Sequence, residues 1–413
     1  AMTSRPALLP SLLLAFACAA SIPAQTTPEL IGITAATPLL RSRDMGSCAE
    51  RACAPVGFPP MASHPAAGGS AYDPTRGGVW ISDGTMIACS DPDDCRYLCP
   101  PLPLPLPRAF VSGLAVNEIR SRLVVSDTAS MIHVYALSCP LGAPLFSCPA
   151  SVPSGHTIGG IATADVLDLV IWSSSDFSGA APPGNLLYVA PFGRPCSPIC
   201  STPLPRCGGV AMGPIHGVAY DQCTRTVWVT DGFKTLGLTL DPSSCALTPT
   251  HCCPAGGTEP FIGLCVMPSR GTVVGRACLH PACGPCTPTT GIGTVGDPAI
   301  GNPAFTVTLD GAPLGVPSWL MLSLGGPCST AGTRPPAPWC GLLHIDLVLP
   351  PILVGPVTTT GSSTCGGSAS TTIPIPASLS LCGLHGCAQW IGICRSGSGG
   401  LLSPALSFAI SGT

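Results

Sequence analysis

Charge is what this chain lacks most. Only 9% of its 413 residues are Asp, Glu, Lys or Arg, the formal net charge is −3, and Lys234 is the single lysine. A phosphate-binding face needs clustered Lys or Arg, so nothing here recommends a nucleic-acid partner. Aromatic residues make up 5%, few for a sugar site built on exposed rings. No G-x-S-x-G, H-E-x-x-H or P-loop signature occurs, and Asn117, Asn185 and Asn302 all lack the glycosylation sequon. Past the N-terminal region no stretch suits a membrane span, because the apolar run from Leu342 to Val357 is broken by Asp346, Pro350 and Pro351. Disorder is excluded as well, since 46% of the residues are hydrophobic.

Glycine (49), proline (50) and cysteine (25) are abundant. So much Gly and Pro forbids long helices and calls for many turns. So many thiols suit an oxidising compartment, where they act as crosslinks. The N-terminus agrees. Arg5 precedes an apolar run from Ala7 to Ile22, and small residues follow at Ala19, Ala20, Ser21 and Ala24. This reads as a signal peptide over residues 1–24. Its removal takes away Cys18 and leaves 24 cysteines, eighteen in 48–286 and six in 328–394, as expected for two separately crosslinked domains with complete pairing.

A repeat organises the first 290 residues. Gly69-Ser-Ala-Tyr-Asp73 aligns with segments that begin at Gly113, Gly160, Gly217 and Gly263. Ten residues after each glycine a second apolar segment starts, at Val79, Leu123, Val170, Val227 and Val273. Third strands follow, as at Met131–Leu137 and Thr235–Leu240, and then a cysteine-bearing turn. The glycines lie 44, 47, 57 and 46 residues apart, a period that marks propeller blades of three or four short strands. The small residue two past each glycine fits an inner strand, where blades converge.

The pattern resembles that of NHL and YWTD propellers, in which a "G-[IVL]-A-[YV]-D" strand precedes a "[VL]-[YW]-[VI]-[ST]-D" strand. The resemblance covers about residues 30–290 and implies architecture, not activity. The fifth unit lacks its last strand, while Leu30–Asp44 ends like a third strand without a glycine unit before it. The expected fold is therefore an all-β, disulfide-rich, five-bladed propeller over residues 25–290, closed by the N-terminal strand, with six blades as the alternative. Residues 291–303 read as a linker. Residues 304–413 read as a β-sandwich, with strands expected at 305–309, 318–324, 342–349, 370–375, 388–393 and 405–410. The stretches "GNPAFTVTLDGAPLGVPSWLMLSLG" and "CAQWIGI" with "GLLSPALSFAIS" resemble a C-terminal β-domain of large secreted bacterial proteins, which implies attachment or assembly.

Candidate chemistry is sparse. Cys283-Gly-Pro-Cys286 has thioredoxin spacing but no βαβ context, so a structural bridge or two bridges is the reading. Cys196, Cys200 and Cys207 have zinc-like spacing and no near fourth ligand. Asp83, Asp127 and Asp231 end equivalent strands and read as turn caps; with His216, which breaks the repeat, they are the weak candidates for a metal at the channel mouth. Asp91, Asp93 and Asp94 form an acidic turn in which Arg96 holds the place of the calcium-loop glycine. The Pro-Leu alternation of 100–107 reads as a stiff inter-blade loop or a docking strip. Cys48, Cys53, Cys95, Cys99, Cys139, Cys148, Cys245, Cys252, Cys283, Cys286, Cys328, Cys340, Cys382 and Cys387 are the disulfide candidates, and no cofactor is expected.

These features point to a secreted, non-enzymatic scaffold, extracellular or at the cell surface. It would associate with itself head-to-tail, through a filament or surface layer, or with a surface or matrix partner. An extended arm at 25–37 would reach a neighbour's sheet edge. A metal-dependent propeller hydrolase of the lactonase kind and a glycan- or protein-binding module are the alternatives.

Overall fold

A computed structural model describes residues 29–34, 39–44, 50–55 and 67–412, apart from 93–94, 105, 107–108, 179–183, 255–259, 269–270, 285, 287–289, 338, 348–349 and 395. The side chains of Leu39, residues 50–55 and Phe261 are also outside the description. The expected signal peptide, Cys48, the Cys53 side chain, Asp93 and Asp94 therefore lie outside the described residues.

The chain opens with β1 (Glu29–Thr34), β2 (Leu39–Asp44) and β3 (Glu50–Pro55). Four complete blades follow, each a four-stranded antiparallel meander. Blade 1 holds β4 (Gly69–Asp73), β5 (Gly78–Ser82), β6 (Met86–Ser90) and β7 (Tyr97–Pro103). Blade 2 holds β8 (Val111–Asn117), β9 (Arg122–Asp127), β10 (Met131–Ala136) and β11 (Phe146–Pro149). Blade 3 holds β12 (Thr157–Ala164), β13 (Leu169–Ser175), β14 (Leu186–Pro191) and β15 (Cys200–Pro203). Blade 4 holds β16 (Gly217–Asp221), β17 (Thr226–Thr230), β18 (Thr235–Leu240) and β19 (Leu247–Cys253). In blade 5 the inner strand β20 (Phe261–Met267) pairs with β1, and the sheet runs β20-β1-β2-β3. Closure thus uses three N-terminal strands rather than one. Glu29–Thr34 is spent inside this blade, so it does not form the free arm expected from sequence.

The ring has five blades, and the repeat glycines show why. A Cβ on Gly69 would lie 2.9 Å from the Leu114 amide nitrogen, and one on Gly113 would lie 2.9 Å from that of Ile161. On Gly160 it would lie 2.6 Å from the Val218 nitrogen, and on Gly217 2.6 Å from the Gly263 carbonyl carbon. On Gly263, at φ +69°, it would lie 2.5 Å from the Ser70 nitrogen, which closes the circle. Neighbouring backbones touch at each step, and no side chain fits between them.

Tryptophans fill the wedges between blades. Trp80 lies opposite Ala71 and Trp228 opposite Ala219, each indole covering the small inner-strand residue. Trp80 packs with Leu114 and Val125 of blade 2, and Trp228 with Leu30 and Leu264 of blade 5. Trp172 stands one place later in its strand, opposite Ile161. Because successive strand residues face opposite ways, it packs back on Ala115 and Val124 of blade 2.

The rim is stapled. Cys99–Cys139 joins blades 1 and 2, Cys148–Cys196 joins blades 2 and 3, and Cys200–Cys245 and Cys207–Cys252 join blades 3 and 4. Cys95 and Cys253 are bonded as well. Pairing is not complete, since Cys89 and Cys265 are buried free thiols. Nor are the two domains crosslinked separately: Cys223–Cys382 spans 159 residues and ties blade 4 to the C-terminal domain.

That domain begins earlier than residue 304. β21 (Thr272–Val274) and β22 (Cys278–Leu279), expected within the fifth blade, pair with the last strand β29 (Gly400–Ala409). The expected linker contains β23 (Gly291–Val295), which pairs with β24 (Thr306–Ala312). One sheet contains β21, β22, β29, β28 (His385–Ile393), β25 (Pro317–Leu324) and β26 (Ile352–Thr358); the other is β23-β24-β27 (Gly367–Thr372). Their inner faces share one core of Phe305, Val307, Leu320, Leu322, Trp390 and Phe408, a sandwich. Of the strand expected at 342–349, the described residues 342–347 form none. The buried Gln389 side chain accepts from the His344 amide at 2.9 Å and donates to the Leu342 carbonyl at 3.1 Å, replacing a neighbouring strand. Cys328–Cys387, Cys278–Cys340, Cys283–Cys394 and Cys286–Cys365 hold this domain.

The glycine contact carries a test. Gly217→Val forces a side chain into backbone and is expected to lower the unfolding free energy by about 3 kcal/mol or more. Gly142→Ala, where nothing lies within 4 Å, is expected to change it by less than about 0.5 kcal/mol. Urea unfolding under non-reducing conditions measures both.

Candidate functional site

The axial channel is the natural place to look in a propeller. Its wall is three residues from each inner strand: 70–72, 114–116, 161–163, 218–220 and 264–266. The space between them is about 40 Å³, on the order of three water volumes. Alanine or cysteine at the second place keeps it narrow, and Ser70 and Thr163 turn their hydroxyls onto the backbone carbonyls of Ile31 and Val116.

At the glycine end stand the acids singled out from sequence. Each serves its own turn. Asp83 Oδ1 accepts from the Thr85 and Met86 amides at 2.7 Å each. Asp127 Oδ1 accepts from the Ala129 and Met131 amides, and its Oδ2 lies 3.1 Å from His133 Nε2. Asp231 Oδ1 accepts from the Phe233 and Lys234 amides, and its Oδ2 from the Gly213 amide and the Lys234 ammonium. Burial alone would raise the Asp231 carboxyl; the amides of Lys234, Gly213 and Phe233 and the Lys234 side chain outweigh it and hold it below the usual range. Among the described residues no group of three or more His, Cys, Asp or Glu is placed to hold a metal.

His216 is separate from these carboxylate caps. Its backbone stitches blades 4 and 5, donating to the Thr230 carbonyl at 2.8 Å and accepting from the Gly263 amide at 2.9 Å. Its ring meets Phe177 edge-on with centroids 5.3 Å apart, and its Nδ1 is buried without a partner. Burial pushes the imidazole pKa down, only partly offset by Asp231, so the ring is neutral at pH 7.

The remaining motifs resolve into structure. Cys196, Cys200 and Cys207 are all in disulfides, and Cys283 and Cys286 pair with different partners. Tyr97–Pro103, which takes in the start of the Pro-Leu segment, is the outermost strand of blade 1, where prolines cost no ladder bond. Leu102, Leu104 and Leu106 pack on the core shared by blades 1 and 2.

The opposite mouth holds groups the sequence reading passed over. Blade turns there meet the sandwich. The Asp297 amide and Asn302 Nδ2 donate to the Pro74 carbonyl, Gly301 lies against Ile119, and Val166 and Cys223 pack on the sandwich core. The sandwich therefore sits over this end of the axis. Tyr72, from the channel wall, donates its hydroxyl to Asp297 Oδ2. Glu118 reaches the Thr75 hydroxyl, and the Thr75 carbonyl lies against Gly296 of the sandwich; a 2.6 Å bond from the Glu118 amide to Asp165 Oδ2 joins the two acids. A signal existed for both: the fifth residue after each repeat glycine is Pro74, Glu118, Asp165, Gln222 and Pro268, so two copies carry acids where the others do not.

No protein-family model matches the chain, and no curated protein matches it. Among solved structures it is similar to Kuenenia stuttgartiensis hydrazine synthase, at 12% identity over 62% of this chain and 58% of that one, with a TM-score of 0.32. It is also similar to the Myceliophteria thermophila Cps50 (Swd1) β-propeller domain, at 10% identity over 69% of this chain and 82% of that one, with a TM-score of 0.34. The chain thus spans little more than half of the hydrazine synthase chain. Likeness at this level carries no argument about activity.

If the acids are caps, the oxygen matters and the charge matters less. Asp83→Ala is expected to lower stability by about 1–2 kcal/mol and Asp83→Asn, which keeps an accepting oxygen, by less than half as much. Chemical unfolding of the two variants measures the difference; equal losses would contradict the cap.

Proposed function

We propose that this protein is a secreted, non-enzymatic scaffold of the cell exterior, built to persist and to be assembled. The observation that carries the reading is the rim girdle, in which consecutive blades are joined covalently from blade 1 to blade 4. Such bridges restrict the unfolded chain and suit an oxidising exterior. The channel lining supports it too, since small and apolar side chains dominate its wall and no charged side chain lines it. The hydrolase reading loses its support at Asp83, Asp127 and Asp231, whose oxygens already serve their turns. The repeat motif, similar to that of NHL and YWTD propellers, belongs to this reading.

Self-association is part of the proposal. One propeller face already carries its own sandwich, so a head-to-tail contact would seat the sandwich's far side on the glycine-end face of the next copy. Negative-stain electron microscopy of native, non-reduced material tests this. Regular filaments or sheets are expected. Dispersed two-lobed particles under all conditions would contradict assembly.

A further inference from the structure

Carboxyl groups without cations gather where the propeller meets the sandwich. Glu118 is 5% exposed, and its Oε2 is buried with no hydrogen-bond partner. Its Oε1 has only the Thr75 hydroxyl at 3.5 Å. Asp165 Oδ1 is likewise buried and unpartnered. Asp297, 6% exposed, comes from the sandwich and meets Tyr72 across the seam. The arginines nearby are engaged elsewhere: Arg76 pairs with Asp73, and Arg120 makes a two-toothed bond to Asp168. The blade turns also carry Tyr220 of the channel wall, with Arg225 and Asp221 near it, and Arg122, whose guanidinium donates to the Ser121 carbonyl at 3.1 Å.

We propose that this seam is a proton-dependent latch, closed while Glu118, Asp165 and Asp297 carry protons and loosened as they ionise. A protonated carboxyl is tolerated in such a pocket, and a bare carboxylate is not. Burial, with Asp165 and Asp73 adding repulsion, pushes Glu118 up to about 9. Burial lifts Asp165 to about 7 against the bonds it accepts, and burial alone lifts Asp297 to about 7. All three are raised above their unfolded values. Their contribution to docking is therefore complete below the ordinary carboxylate range and is lost as pH rises through about 7 and then about 9. Cys223–Cys382 keeps the domains tethered when the seam loosens, so the change is reversible.

Hydrogen exchange at the amides of 296–302 and 411–412, corrected for the intrinsic pH dependence, tests the latch on the oxidised protein. Protection is expected to fall by at least about tenfold between pH ~5 and pH ~9.5, while the inner strands stay protected. The triple variant Glu118→Gln, Asp165→Asn, Asp297→Asn is expected to stay protected across the range. Should it not fold, Asp297→Asn alone is expected to shrink the part of the loss centred near 7, to which Asp165 also contributes. Flat protection in the wild type overturns the proposal. So does an unchanged loss in the variants, or full recovery at high pH on adding calcium, which would make the seam a cation site.

Discussion

Five backbones meet around one axis at Gly69, Gly113, Gly160, Gly217 and Gly263, at separations that leave no place for a side chain. The rest of the propeller is arranged around that contact. Blades brought so close at the axis diverge toward the rim, and the wedges between them must be filled. Small residues beside the axis and indoles further out supply the taper. The last contact, Gly263 on Ser70, closes the circle between strands far apart in sequence. It also fixes the N-terminal strands, because β1 pairs with the strand that carries Gly263.

Closure at the axis and crosslinking at the rim act on different parts of the energy balance. The axial contacts belong to the folded state. The rim bridges, 40–48 residues apart in sequence, restrict the unfolded one. A disc held both ways resists fraying from its edge, which is where β-structures pair with foreign strands. The sandwich then covers one face, leaving the other face and the rim as the surfaces open to partners. Its attachment combines a covalent tether with a seam of buried acids, so the rigid part of the molecule and its adjustable part are separate.

Much of this was legible in the residues. The constant offset of ten from glycine to second strand marked the blades; that Trp172, one place later than Trp80, faces the other way became visible only in the packing. The fifth unit was harder. Val273 keeps the offset, but the N-terminal strand takes the place beside β20, and the chain leaves for the sandwich; pairing of that range leaves no local trace. Over the described residues 342–347 of the expected strand at 342–349, the backbone finds partners piecemeal: the Gln389 side chain takes the Leu342 carbonyl and the His344 amide, and Thr333 takes both groups of Leu343. Cystine partners were out of reach, since spacing does not choose among them. Glu118 and Asp165 were within reach as acids that break the repeat. Asp297 was not, because it lies outside any repeat and gains meaning only from the surface it meets.

The central claim is that the five inner strands form one unit through the glycine contacts. Native-state hydrogen exchange of the oxidised protein tests it most directly. The account predicts that the core amides of β4, β8, β12, β16 and β20 share one opening free energy, the highest in the propeller, with β1 opening together with β20. Stepwise opening, with β1 and β20 exchanging well ahead of the other inner strands, would show that the ring is not closed by its axis.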